Sequence, residues 1–308
     1  MSGYFLPLGL VLALLGSLVS PAPGRLLDQW GLIPWMVVII FVVNGYQISL
    51  RQMPRAGTLL ATTFVAVVIN LLISPWIGYL LAHWLELPQE AVLGLVVMAS
   101  VPATLSSGIV MTQLAGGDAL VALFLTVLLN LLGVFVLPLT LQMTLGGSDV
   151  VELSPWLLLR QLILIVLLPF LLGMWMRRMA WFDVPQPLLK YLPSSCVIGT
   201  VWMSLSSSVE SIARVDMTLL WQLTLASILV HLLLQLFCWA SRRCYRVARA
   251  ETLALLFTAS QKTLPVAIGV LSTMAQPVGV AILVCILFHF LQLFWDAMLA
   301  ARFARAKG

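Results

Sequence analysis

Apolar stretches without a charged residue recur along the whole chain, and each is near the ~20 residues needed to cross a hydrocarbon core of about 30 Å. Of the 308 residues, 62% are hydrophobic and 9% are charged. Soluble domains carry roughly a quarter charged residues, so this chain has too little polar surface to coat a water-soluble body. We therefore expect an all-α integral membrane protein whose surroundings are a lipid bilayer.

Charged and turn-rich breaks divide the chain into ten predicted transmembrane helices, called segments one to ten. They cover residues 4–20, 31–49, 56–84, 90–116, 118–143, 152–176, 186–210, 217–241, 250–276 and 278–302. No basic residue precedes the first stretch, because the first one in the chain is Arg25. A secretory signal would carry such a charge, so segment one is predicted to be a permanent helix.

The basic residues predict the orientation of these segments. With ten spans, both termini and the even-numbered turns share one side, which receives twelve of the 16 lysines and arginines. These are Arg51, Arg55, Arg177, Arg178, Lys190, Arg242, Arg243, Arg246, Arg249, Arg302, Arg305 and Lys307. The opposite side receives Arg25, Arg160 and Arg214. Basic residues mark the cytoplasmic side, so we predict a multi-pass protein of the cell inner membrane with both termini in the cytoplasm. The same distribution accounts for the net charge of +5 without a nucleic-acid partner.

Polar interruptions recur at an offset of about 160 residues, as in transporters built from two repeats. Residues 99–104 interrupt segment four, and residues 258–263 interrupt segment nine. Any chain of evenly sized apolar helices looks periodic, but matched interruptions favour a true repeat. Five spans per repeat make the two halves inverted, and we assign residues 1–148 to the first and 149–308 to the second, within one membrane unit.

The two interruptions are the predicted functional centre. In segment four, Pro102 removes a backbone donor and a polar run follows it; in segment nine, polar residues precede Pro265. Broken helices expose carbonyls and helix termini that bind cations and anionic groups respectively. The alternative for segment four is a proline kink whose serines bond back to the helix. The predicted break residues are Pro102, Gly108 and Pro265, and the predicted binding residues here are Thr104, Ser106, Ser107, Ser260, Gln261, Lys262 and Thr263.

Lys262 lies in the middle of segment nine, where a lysine costs on the order of 2.5–3.5 kcal/mol to insert. Three roles are open at this point. The ammonium is a permanent internal cation facing broken-helix carbonyls, or a countercharge for an anionic substrate, or a titrating proton carrier.

Further polar residues lie on neighbouring segments. Asn70 is deep in segment three. Asp296 lies near the cytoplasmic end of segment ten, and we predict an ion-pair partner or an interfacial residue rather than a proton relay. Thr126 and Asn130 share a helix face in segment five, as His289 and Gln292 do in segment ten. For each of these four, a hydrogen bond between helices competes with a binding role.

Catalytic motifs are missing from the sequence, which has no Walker loop, HExxH, GxSxG or dinucleotide fingerprint. We predict that the chain is not an enzyme and uses no cofactor.

Several motifs resemble one known family. PATLSSG at residues 102–108, continued by MTQLAGGD at 111–118, resembles the fourth-helix region of the bile acid:sodium symporter family. SQKTL at 260–264 and FHFLQL at 288–293 resemble its lysine-containing branch of bacterial symporters and their eukaryotic relatives, and NGYQIS at 44–49 is similar to the end of that branch's second helix. The resemblance implies two inverted five-helix repeats, forming a panel and a core domain, with helices four and nine broken and crossing. It also implies a small organic anion as substrate, co-transported with sodium.

The sequence departs from this family at its sodium ligands. Only Ser107, Thr126 and Gln261 match ligand positions with a suitable oxygen, Asn70 takes the place of a further amide, and Phe257 stands where the family has a carboxylate. Our hypothesis is that the Lys262 ammonium replaces one bound cation, which leaves coupling to one sodium ion, to a proton, or to none.

Together these features predict a secondary transporter of an organic anion that works by alternating access. The alternative is a non-transporting membrane regulator or sensor built on a transporter fold. No feature of the sequence specifies the substrate or the oligomeric state.

Overall fold

The structure, a computed structural model, describes residues 5–48, 59–146, 154–179, 183–245, 248–274 and 278–305, and all regular elements in these ranges are helical. The helices are α1 (Phe5–Val19), α2 (Pro21–Gln29), α3 (Leu32–Gln47), α4 (Leu60–Val67), α5 (Ser74–Trp84), α6 (Gln89–Ser100), α7 (Ser107–Leu114), α8 (Ala119–Leu145), α9 (Pro155–Leu162), α10 (Leu168–Met179), α11 (Gln186–Ile212), α12 (Met217–Tyr245), α13 (Arg249–Ala259), α14 (Leu264–Leu271) and α15 (Gly279–Arg305). A π-helical turn, Val68–Ile73, joins α4 to α5, and another, Ile163–Leu167, joins α9 to α10. The predicted boundary between the repeats lies outside the described residues, as do Arg51, Arg55, Arg246 and Lys307.

Six of the described helical stretches are long and apolar enough to cross a membrane, and a seventh is added if α1 and α2 form one bent span. The six are Leu60–Trp84, Ala119–Leu145, Pro155–Met179, Met217–Arg243, Arg249–Leu271 and Gly279–Arg305. This confirms an all-helical, multi-pass membrane protein. The number of ten spans stays a prediction, because α3 and α6 are shorter apolar helices.

The beginning of the chain differs from the prediction. Residues 21–29 were expected to be a connection, but they form α2, which bends by 100° from α1. Pro21 lies at the start of α2, where its fixed φ suits a helix and its missing N–H is no loss. Proline at this point therefore starts a helix instead of a loop.

The predicted interruptions of segments four and nine are present. Residues 101–106 separate α6 from α7, and residues 260–263 separate α13 from α14. Val101 is extended (φ −64°, ψ 152°), as expected for a residue before proline. Gly108 and Pro265, predicted as break residues, are the second residues of α7 and α14, so they lie just after the breaks.

The helices form two packed groups. In the first group, α3 packs on α10, and α11 packs on α1, α2 and α3. In the second group, α6 packs on α5 and α15, α12 on α13 and α15, and α13 on α7 and α8. The groups meet mainly where α11 contacts α15.

Glycines bring the backbones of α3 and α10 into direct contact. A Cβ on Gly173 would lie 2.0 Å from the Val42 carbonyl oxygen, and one on Gly45 would lie 2.1 Å from that of Phe170. Because the obstructing atoms are backbone, a side chain here requires the two helices to move apart.

We expect Gly173→Ala to destabilise the protein, whereas Gly269→Ala is tolerated. A Cβ on Gly269 would meet nothing closer than 3.5 Å, and both variants gain the same helix propensity of about 1 kcal/mol. Overpacking costs about 1–3 kcal/mol, so it outweighs that gain at Gly173. The measurement is the thermal unfolding midpoint of each purified variant in detergent. Equal midpoints would show that the helices separate without cost.

Candidate functional site

The first break is held by donors from other parts of the chain. The carbonyls of residues 101, 102 and 103 have no helical partner, since α6 ends at Ser100. They accept, in order, from Lys262 Nζ at 3.1 Å, from the Thr263 N–H at 3.0 Å and from Asn130 Nδ2 at 2.9 Å. The Thr263 bond joins the two breaks directly.

The second break is held in the same way. Asn70 Nδ2 donates to the carbonyls of Ala259 (2.8 Å) and Gln261 (3.3 Å). His231 Nδ1 lies 3.3 Å from the Ser260 carbonyl, and Gln292 Nε2 donates to the Lys262 carbonyl at 2.7 Å. Side chains thus provide hydrogen-bond partners for backbone carbonyls that would be unpaired if they faced lipid.

Lys262 is fully buried, and its side-chain nitrogen lies between the first break and the π-helical turn that joins α4 to α5. Nζ donates to the carbonyl of Asn70 at 2.6 Å as well as to that of Val101. The Asn70 carbonyl is available for a local reason: in the π turn the Ser74 N–H bonds to Ile69, and the next residue, Pro75, has no N–H. Two carbonyl acceptors are what the first predicted role requires, and the choice among the three roles of Lys262 stays a prediction.

Gln261 connects hydroxyl groups on one side to a carboxylate on the other. Its Oε1 accepts from Thr104 Oγ1 at 2.5 Å and from Ser107 Oγ at 2.7 Å, so the structure brings these three predicted residues together. Its Nε2 donates to Asp296 Oδ2 at 2.6 Å.

Asp296 is completely buried, which the prediction of an interfacial residue did not anticipate. Its Oδ1 lies 2.9 Å from His231 Nε2 and accepts from Gln235 Nε2 at 2.6 Å. The contact with His231 is an ion pair when that imidazole is protonated, so the alternative role of ion-pair partner stays a prediction. Neither His231 nor Gln235 was singled out from the sequence. Their spacing of four residues on an apolar helix places both on one face, and that was the available signal.

Gln292 and His289 are in contact, as their spacing predicted. Gln292 Oε1 accepts from the Lys262 N–H at 2.9 Å, and its Nε2 lies 2.9 Å from His289 Nδ1. One amide side chain therefore pairs with both backbone groups of Lys262 and with the imidazole.

A cavity of about 90 Å³ lies between the two helix groups. It is lined by Leu6, Ile40, Phe41, Asn44, Thr104, Leu105, Ser106, Ser107, Pro193, Ser194, Val197, Thr263, Pro265, His289 and Leu293. Five predicted binding residues line it (Thr104, Ser106, Ser107, Thr263 and His289). Asn70, Thr126, Asn130, Ser260, Gln261, Lys262 and Gln292 do not line it. Among the described residues, the lining offers hydroxyl and imidazole groups and no carboxylate, so its chemistry suits an anion.

The three candidate sodium ligands do not share one set of contacts. Ser107 bonds to Gln261, whereas Thr126 contacts Asn130, whose Nδ2 donates to the Thr126 carbonyl at 2.8 Å. Gln261 Oε1 already accepts two hydroxyl groups. Of the six buried side-chain oxygens without a partner among the described residues, three lie near the breaks: Thr126 Oγ1, Asn130 Oδ1 and Asn70 Oδ1. Sodium binding by these residues stays a prediction.

Comparison with known proteins places this architecture among transporters. Residues 4–305 match the family described as the SBF-like CPA transporter family. "Probable sodium/metabolite cotransporter BASS4, chloroplastic" of Arabidopsis thaliana is 28% identical over 97% of this chain and 72% of its own length. "Sodium/bile acid cotransporter 7" of Rattus norvegicus is 23% identical over 76% of this chain and 71% of its own.

Proposed function

Because the chain belongs to the SBF-like CPA transporter family, we propose that it is a secondary transporter that moves a small organic anion across the cell inner membrane by alternating access. The observation that carries this proposal is a cavity lined by hydrogen-bond donors at the point where two broken helices meet. The names of both relatives are those of cotransporters.

The proposed architecture is ten spans in two inverted repeats, 1–148 and 149–308, with α6–α7 and α13–α14 as the broken and crossing fourth and ninth spans. The helix group of α1, α2, α3, α10 and α11 is the panel, and the other group is the core. In support of a cytoplasmic location for both termini, arginines occupy the last turns of three helices that end on the same side in this topology. They are Arg177 and Arg178 in α10, Arg242 and Arg243 in α12, and Arg302 and Arg305 in α15.

In our proposal, the anion binds where α7 begins. The first N–H bonded within this region is that of Val110, which donates to Ser106, so the N–H groups of Ser107, Gly108 and Ile109 have no helical acceptor. The positive end of the helix dipole adds to these donors. The hydroxyls of Thr104 and Ser107 also donate to the anion when they release Gln261 Oε1, which accepts from both in this conformation. The cavity is smaller than the ~300 Å³ of ordinary ligand pockets, so in this conformation it accommodates a small anion or only the head group of a larger one.

The coupling ion is proposed to be a single sodium ion or proton. The Lys262 ammonium supplies one fixed positive charge beside the cavity, held by two carbonyls. A fixed charge takes the place of one bound cation, so at most one mobile cation is needed with each anion.

The test is uptake by proteoliposomes, combined with thermal stabilisation of the purified protein by pyruvate, succinate and taurocholate. Binding at a hundred times Kd stabilises the folded state by about 2.7 kcal/mol. We expect at least one of these anions both to stabilise the protein and to be taken up. Stabilisation without uptake would favour the sensor alternative, and neither effect with any anion would contradict the proposal.

Thr104→Val is expected to lower uptake about tenfold, because a hydrogen bond to a charged group contributes about 1.5–3 kcal/mol. Thr140→Val is the matched control: Thr140 is equally buried, but its hydroxyl bonds only to Leu137 within α8. Equal uptake by the two variants would show that the Thr104 hydroxyl does not contribute to anion binding.

A further inference from the structure

We propose that a second cavity binds a monovalent alkali-metal cation. This cavity has a volume of about 240 Å³ and lies between α2 and α11 on one side and the end of α14 and the start of α15 on the other. The polar residues that line it are Asp28, Ser204, Ser207, Ser208, Ser211 and Ser272. This inference goes beyond the proposed function, because none of these residues lines the first cavity, where the anion is proposed to bind.

The two cavities lie at different levels of the same seam between helices. On α11, the first cavity is lined by residues up to Val197, and the second is lined by residues from Ser204 onward. At a rise of about 1.5 Å per residue, the step between these two residues is about 10 Å. On α15, the first cavity is lined by His289 and the second by Ile282. A ligand in the second cavity is therefore separate from an anion in the first.

Ser204 provides the observation that points to a ligand. It lines the second cavity, it is 2% exposed, and its Oγ has no hydrogen-bond partner. A buried polar atom that forms no hydrogen bond destabilises the folded state. A cation in the cavity removes this cost, because a hydroxyl oxygen has two lone pairs that can face a metal ion.

Further hydroxyl groups come from both sides of the cavity. Residues 204, 207, 208 and 211 are spaced by three and four, which places these serines on one face of α11. Ser272 follows α14 and lies across the cavity from them. Its hydroxyl donates to the Gly269 carbonyl at 3.0 Å, so its oxygen can still accept. Hard cations take oxygen ligands such as these.

Asp28 gives the cavity a negative charge. Its Oδ2 accepts from Ser207 Oγ at 2.5 Å, and it belongs to neither of the two ion pairs found among the described residues. The charge of the nearby Arg25 is already paired, since it donates to Glu210 at 3.3 Å and to the Ser206 carbonyl at 2.8 Å. A single carboxylate is neutralised by a single positive charge, which favours a monovalent over a divalent cation.

The helix ends around the cavity also favour a cation. The carboxyl end of α14, where the helix dipole is negative, borders the cavity at Leu271. The amino end of α15 borders it at Gly279, and there the Glu90 carboxylate accepts from the Val280 N–H at 2.7 Å and offsets the positive end of the dipole. Together with Asp28, these ends disfavour an anion in the second cavity.

Thermal unfolding of the purified full chain in detergent tests the site without a transport substrate. The unfolding midpoint is followed while sodium chloride replaces choline chloride at constant ionic strength. Choline is recognised by aromatic side chains, and the described lining contains none. A ligand of the folded state raises the midpoint, so we expect a saturable rise of about 2–4 °C with sodium.

Asp28→Asn is expected to raise the half-saturating sodium concentration about tenfold or more, because it removes the charge of the site. Asparagine preserves the fold, since its side-chain oxygen can still accept from Ser207 Oγ. Asp216→Asn is the matched control. Asp216 is exposed and accepts from the Leu219 N–H at the start of α12, a cap that asparagine also provides.

Ser204→Ala separates a cation ligand from a structural serine. The Ser204 hydroxyl forms no hydrogen bond, so its removal should leave the midpoint without sodium equal to or above that of the wild type. The half-saturating sodium concentration should nevertheless rise about threefold or more. In the control Ser206→Ala, the removed Oγ is also buried and unpaired, but Ser206 does not line the cavity, so the sodium response should be unchanged.

Three outcomes would contradict the proposal. The midpoint does not rise when sodium replaces choline, or Asp28→Asn and Ser204→Ala respond to sodium as their controls do, which would locate the ion elsewhere. The third is a rise that calcium chloride produces at lower concentrations than sodium chloride. None of these measurements needs anion uptake, so failure of the proposed function leaves this test intact.

Discussion

Lys262→Met is expected to abolish most anion uptake while the protein still folds. The substitution leaves two buried carbonyls without a donor, at about 1–3 kcal/mol each. It also removes a buried ammonium whose insertion costs on the order of 2.5–3.5 kcal/mol. These terms oppose each other and are similar in size, so the thermal unfolding midpoint should change little.

The effect on transport has no such compensation. At an effective dielectric constant of ~20, two unit charges about 4 Å apart interact by about 4 kcal/mol, and the energy falls in inverse proportion to their separation. For a charge beside the cavity that does not line it, we therefore expect a contribution of roughly 1–2 kcal/mol, or a factor of about 10 in binding. Initial uptake rates in proteoliposomes measure this loss. Lys190→Met is the matched control, since Lys190 is exposed on α11. Wild-type uptake by Lys262→Met would leave the ammonium a purely structural part of the fold.

Gln292→Met is expected to destabilise the protein by about 2–6 kcal/mol. Methionine has a similar shape but pairs with neither the N–H nor the carbonyl of Lys262, and each unpaired buried group costs about 1–3 kcal/mol. No buried charge is removed in this case, so nothing offsets the loss. The thermal unfolding midpoint, followed by tryptophan fluorescence in detergent, measures it.

Gln222→Met provides the comparison for Gln292→Met. Gln222 donates one hydrogen bond to the Leu85 carbonyl and is only partly buried, so its loss should cost about 0.5–1.5 kcal/mol. If the two variants unfolded at the same temperature, the pairing of Gln292 with Lys262 would contribute little to the fold.

Much of the helical order was predictable because it depends on local chemistry. Pro102 and the polar run after it predicted an interruption of segment four, with a proline kink as the alternative, and the structure has the interruption at residues 101–106. Segments five and eight begin within a residue of α8 and α12, since charged turns mark their ends. The α2 helix was not predicted, because proline at the first turn of a helix resembles a loop in composition.

The partners in the site were less predictable, because they come from distant parts of the sequence. His231 and Gln235 look like isolated polar residues on an apolar helix until α15 places Asp296 beside them. The carbonyl of Asn70 offered no sign of its role: it depends on a π-helical turn, which the apolar pattern of residues 68–73 does not reveal. Of the two causes that leave this carbonyl free, the π turn and the missing N–H of Pro75, only the proline could be recognised in the sequence.

The carbonyls of both breaks are bonded by side chains from the π turn, from α8, from α12 and from α15. Unwound backbone is ordinarily the most flexible part of a helix, but here hydrogen bonds from four elements hold both breaks in place. We therefore expect the two breaks to resist bending and to move as one unit with the helices that contact them. In the alternating access that we propose, the change of access to the cavity is therefore expected to come from sliding where α11 contacts α15, with the two breaks moving as one unit.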